Sequence, residues 1–208
     1  MTLVVVAALL AGCAAGLLTR GTIERETDQP LHPAVPVAAT GVLAAVVAWQ
    51  VGWAWDLPAY LYFAAVSIPL AIIDLRTHRL PNQLTLTAYP ILTGLLLLPA
   101  LAEGSWEDFG RAILAGAALL AFFGILHVIN PAGMGLGDVK LSGPMGALLG
   151  WGSWSTLMVG TLAGFLLGAV AGLTLMALKR ANRKTALPFG PFMLAGAWAA
   201  ILLSPLIA

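Results

Sequence analysis

Eight apolar runs separated by short polar gaps leave this chain one solvent in which to fold. They lie near residues 2–19, 34–55, 58–74, 83–101, 109–129, 136–153, 154–178 and 187–207, and a helix needs about 20 such residues to cross a bilayer. Of the 208 residues, 60% are hydrophobic and only 9% charged, with a mean hydropathy of +0.94; a water-soluble domain is about 25% charged. In lipid each segment must satisfy its own backbone polar groups, which helices do. The expected fold is therefore all-α, a polytopic membrane bundle of about eight spans, or six to seven if 136–153 only dips into the membrane. No long polar linker, low-complexity tract or internal repeat divides the chain, so residues 1–208 read as one membrane domain.

Charge orients such a bundle. With the first gap placed in the cytosol, Arg20, Arg25, Arg76, Arg79, Lys140, Lys179, Arg180, Arg183 and Lys184 fall inside and only Arg111 outside. By the positive-inside rule this predicts eight spans with both termini outside the cytoplasm. Trp53, Trp55, Trp106, Trp151 and Trp154 sit where an outer aromatic belt is expected. A net charge of +1, with cations scattered in short clusters, excludes a nucleic-acid footprint. The single Cys13 forms no intramolecular disulfide and builds no cysteine-rich zinc site. Leu10-Ala11-Gly12-Cys13 matches a lipoprotein attachment box, but no Lys or Arg precedes the run, which favours an ordinary first span.

Seven of the nine acidic residues lie in solvated gaps, which leaves Asp74 and Asp138. Asp74 ends the apolar run from Val66; Asp138 sits within Gly133-Met134-Gly135-Leu136-Gly137-Asp138-Val139-Lys140-Leu141. The charge pattern puts both at the cytosolic face. Two carboxylates brought close at a low-dielectric boundary cannot both ionise cheaply, so they share a proton. Such a pair can hold a water, one member taking its proton while the protonated partner polarises a scissile carbonyl. Structural roles compete: Asp74 paired with Arg76 or Arg79, and Asp138 paired with Lys140 or capping a helix. The glycine run predicts irregular backbone beside a cavity, with Gly135 and Gly137 either clearing an approach to the carboxylate or permitting unusual backbone angles.

Three stretches together resemble the type IV prepilin peptidases, membrane aspartyl proteases with a Gly-x-Gly-Asp signature. They are Asp74-Leu75-Arg76-Thr77-His78-Arg79-Leu80-Pro81-Asn82, with Leu80 where Ile is usual, Gly133 through Leu141, and Leu187-Pro188-Phe189-Gly190-Pro191. The resemblance runs from about Pro58 to the C-terminus. It implies Asp74 and Asp138 as the catalytic pair, with Gly135, Gly137, Lys140, Pro81, Asn82, Pro188 and Gly190 shaping the site or meeting substrate. It implies cleavage, usually just after a glycine, of a short basic leader from pilin-like precursors at the cytosolic face of a bacterial inner membrane. No cofactor is implied. Many relatives also methylate the new N-terminus and carry paired Cys-x-x-Cys motifs between the first two spans. Here the gap from Arg20 to Pro33 holds no cysteine, which puts that second activity in question and fits the shorter type found with Tad-like pili.

Other polar residues have plainer readings. His78 and Arg79 read as positive-inside anchors and Lys140 as a snorkelling cation. Asn82 reads as the cap of the fourth span, and Pro188 with Gly190 as a break entering the last. His32 and His127 have no metal-ligand spacing. Two further functions compete. A presenilin-like protease would usually carry Tyr where Ile73 stands. A proton-coupled transporter would use both carboxylates as a relay, but near the midplane on broken helices.

Overall fold

The computed structural model describes residues 1–131, 133–180 and 187–207; Arg183 and Lys184 of the charge pattern lie outside the described residues. Among the described residues nine helices follow in order: α1 (Thr2–Thr27), α2 (Ala34–Val51), α3 (Leu57–Thr77), the single turn α4 (Asn82–Thr85), α5 (Ala88–Glu103), α6 (Trp106–Ile129), α7 (Leu136–Gly152), α8 (Trp154–Ala177) and α9 (Gly190–Ile207). No strand occurs among the described residues. Six stretches among the described residues are long and apolar enough to cross a membrane, α4 and α5 together forming one of them, Asn82–Glu103. The shorter α7 and α9 complete a polytopic helical bundle.

Small residues decide which helices meet. In lipid no hydrophobic force drives two apolar helices together, so close packing must do so. A β-carbon at Gly12 of α1 would fall 2.7 Å from the Thr40 carbonyl oxygen of α2. One at Gly146 of α7 would fall 2.9 Å from the Ala115 carbonyl of α6, and one at Gly164 of α8 would fall 3.2 Å from the Met193 Cα of α9. These seams make three tight pairs, α1 with α2, α6 with α7 and α8 with α9.

Helices α3 and α7 form the interior. α3 packs against α1, α2, α5 and α9, while α7 packs against α4, α5, α6, α8 and α9. In the apolar window of α3, 61% of residues are buried, against 22% in α8, whose Leu162, Leu166, Val170 and Leu173 face outward as lipid-facing residues should. Both aspartates are thus carried by the two innermost helices.

Three expectations change. α1 continues to Thr27, beyond the apolar run that ends at 19, because Arg20 and Glu24 pair one turn apart and extend the helix into the polar gap. α7 begins at Leu136 and runs unbroken through Gly137, Gly143 and Pro144, so the expected irregular backbone does not extend into those residues. Trp151 is buried rather than in an aromatic belt. Its indole N–H donates to Asp56 Oδ2 at 3.1 Å, while Trp53, Trp55, Trp106 and Trp154 are exposed. Nearby, Arg111 donates to the carbonyls of Gly150 at 2.7 Å and Trp151 at 2.6 Å, and to Asp108 at 2.6 Å. Arg111 thereby caps the C-terminal end of α7.

Candidate active site

Asp74 occupies the last turn of α3. The helix stops three residues later because His78 turns into the left-handed region, φ 53°, and its N–H closes on the Asp74 carbonyl at 2.9 Å. Arg79, Leu80 and Pro81 then reverse the chain into α4. The Asp74 side chain is 4% exposed, and its Oδ2 accepts the backbone N–H of Gly190 at 3.0 Å. Gly190 is the first residue of α9, whose N-terminal amides favour a carboxylate.

That approach requires glycine. A β-carbon at Gly190 would lie 2.8 Å from Asp74 Oδ2 and 3.4 Å from Leu80 Cδ1. The preceding Phe189 anchors the entry to α9 by packing at a tilt in an aromatic cluster, its ring centroid 5.1 Å from that of Phe165 and 6.2 Å from that of Phe123. Pro188 does not line the site.

Asp138 lies in the first turn of α7 and is 8% exposed. Its Oδ2 accepts the backbone N–H of Gly135, the N-cap residue, at 3.2 Å. This is half of a capping box, since glycine has no side chain to return the bond. The loop leading in is closed by His127, whose Nδ1 lies 2.7 Å from the Met134 carbonyl oxygen. Gly135 and Gly137 have no positive φ, so unusual backbone angles are not what they supply. Gly137 supplies clearance instead: a β-carbon there would lie 2.9 Å from Leu80 Cβ. Leu80 therefore fits between the segment that carries Asp138 and the one that holds Asp74.

The two aspartates line one cleft of about 330 Å³, together with Glu26, His78, Arg79, Leu80, Pro81, Asn82, Gly135, Leu136, Gly137 and Lys140. Neither carboxylate has an ion-pair partner among the described residues. The competing structural pairing of Asp74 with Arg76 is not formed; Arg76 instead reaches Thr27 Oγ1 at 3.5 Å. Lys140 does not pair with Asp138 either. Its Nζ donates to Asn82 Oδ1 at 2.8 Å, and its carbonyl accepts the Tyr89 hydroxyl at 2.9 Å. One plain reading is corrected here: Asn82 accepts the bond by which Lys140 ties α7 to α4, while Pro81 holds the N-cap position.

Sequence reasoning missed Glu26, because hydropathy ends the first span seven residues before it. The i,i+4 spacing of Arg20 and Glu24 was the available signal that α1 continues. No group of three or more His, Cys, Asp or Glu side chains placed to hold a metal occurs among the described residues.

Fold and site together define a class: a multi-pass helical membrane protein with two buried aspartates on its innermost helices, opening into one cleft. Residues 61–173 match the model of the type IV leader peptidase family, and the chain belongs to that family. It is 32% identical over 174 residues to the prepilin leader peptidase/N-methyltransferase of Stutzerimonas stutzeri, covering 82% of this chain and 58% of that protein. The protein of the same name from Pseudomonas aeruginosa is 33% identical over 175 residues, with the same coverage. That from Aeromonas hydrophila is 34% identical over 185 residues, covering 86% of this chain and 61% of the relative. The chain thus spans about three fifths of the length of these curated relatives. No solved structure matches it.

Proposed function

We propose that this chain, as a single membrane peptidase domain, is an aspartic endopeptidase that removes short basic leaders from pilin-like precursors. One observation carries the reading: Asp74 and Asp138, far apart in sequence, are both buried, free of ion pairs among the described residues, and line one open cleft. Burying a carboxylate without a counter-ion is costly, and such groups in membrane helices mark functional sites by default. Each has one oxygen, Oδ2, occupied by a backbone N–H. That leaves Oδ1 of both for a shared water. One carboxylate takes the water's proton as the oxygen attacks the scissile carbonyl, and the protonated partner donates to the carbonyl oxygen. No covalent intermediate is needed.

The site's position suits such a substrate. A precursor whose apolar helix lies in the bilayer presents its leader junction at the interface, where α3 ends and α7 begins. In this reading that face is the cytoplasmic side of a bacterial inner membrane, with both termini opposite, as the cation distribution supports. The printed names of the relatives include N-methyltransferase; the cysteine-free gap from Arg20 to Pro33 supports restricting the proposal to the peptidase step. The test is co-expression with a pilin-like precursor. Asp74→Asn and Asp138→Asn, each singly, are expected to abolish processing while the protein still inserts in the membrane, and normal processing by either variant would refute the assignment.

A further inference from the structure

Apart from the two aspartates, the cleft has one acidic residue in its lining among the described residues. Glu26 stands in the last turn of α1 and lines the cleft with Asp74 and Asp138. Its neighbours are all engaged. Glu24 pairs with Arg20 at 2.9 Å and accepts the Leu31 N–H at 3.1 Å. Arg25 donates to the Gly21 carbonyl at 3.0 Å, and the buried Thr27 accepts from Arg76 at 3.5 Å. Glu26 is exposed and makes no ion pair among the described residues.

The remaining charges of the lining are arranged unevenly. Arg79 belongs to the turn after α3 and Lys140 to α7, where it is tied to Asn82. Apart from the aspartates, the cleft is therefore negative where α1 contributes to it and positive where the turn after α3 and α7 contribute. A peptide bound there meets an acidic group from α1 and cationic groups from the turn after α3 and from α7, so which of its segments faces which element matters. A basic segment is favoured against α1 and disfavoured near Arg79 and Lys140.

We infer that Glu26 is a substrate-specificity residue that receives a cationic side chain of the leader, setting the leader along α1 and the apolar mature segment across α7. This rests on the proposed basic-leader substrate. A rim ion pair of this kind fixes register and contributes modestly to affinity.

The experiment uses the full chain in lipid nanodiscs, with one pilin-like precursor bearing a lysine-rich leader and a matched precursor whose leader lysines are glutamates. Glu26→Gln is expected to raise KM for the lysine leader about two- to fivefold, the range of an exposed ion pair, with kcat nearly kept. Glu26→Lys is expected to raise it further and to lower KM for the glutamate leader relative to the unaltered protein. That reciprocal rescue distinguishes charge recognition from a structural defect, which would impair both precursors alike. Equal effects on the two precursors, or none, would overturn the inference while leaving the peptidase reading intact. Absence of cleavage by the unaltered protein would remove that reading, and this inference with it.

Discussion

Asp74 and Asp138 are held by the same kind of bond but by opposite strategies. Asp138 takes an N–H from Gly135, three residues back in the loop that starts its own helix. Asp74 takes one from Gly190, 116 residues away at the start of another helix. The first support forms as soon as α7 begins. The second exists only when α3 and α9 have docked and Phe189 has found Phe165 and Phe123. The difference teaches that half of the site is local and half is a product of assembly, so the cleft becomes competent only when the bundle is complete.

Substituting the two supporting glycines sets the halves against each other. Gly190→Ala puts a methyl 2.8 Å from Asp74 Oδ2, where carboxylate or helix must move. A displacement of about 1 Å can cost about 100-fold in rate, and a kcat loss of that order with little change in KM is expected. Gly135→Ala places its methyl at 3.1 Å from Asp138 Oδ2, on a backbone with φ −71° that alanine accepts. Its loss should be about tenfold or less, because the local turn can adjust within the range of a lost hydrogen bond. Equal losses, measured as kcat on one precursor, would break the distinction between remote and local support.

The bridge between the halves has a smaller effect. Lys140 Nζ and Asn82 Oδ1 join α7 to the segment that follows Asp74. Lys140→Met and Asn82→Ala should each lower kcat/KM a few-fold, and the double variant little more than either single. A double-mutant cycle should give a coupling of about 0.5–1 kcal/mol, as for an exposed pair. Strict additivity would show that the two residues act separately and would sharpen the division into independent halves.

Much of this was legible in the chain, for physical reasons that also mark where legibility stops. Apolar runs report helices because lipid permits little else, and the boundaries of α3, α5, α6 and α8 fall within a few residues of those runs. Asp74 and Asp138 stood out because seven other acids lie in polar gaps. Hydropathy is blind to a helix that continues into water, so the end of α1 and Glu26 were missed. It is equally blind to tertiary hydrogen bonds. Nothing in the local sequence says that Trp151 turns inward to Asp56, that Lys140 meets Asn82, or that the Gly190 amide ends on Asp74. Those contacts depend on which helices neighbour one another, and the small residues that select neighbours carry no label naming their partner.

The claim beneath both halves is that two carboxylates act as one unit, and kinetics on the purified protein test it directly. Precursor cleavage would be measured for the unaltered protein, Asp74→Asn, Asp138→Asn and the double variant. If the aspartates share one water and one proton, each single variant falls to the same background as the double, because removing either member removes the unit. A single variant that retains cleavage well above that background, with the double variant lower by the product of the two losses, would contradict the paired mechanism.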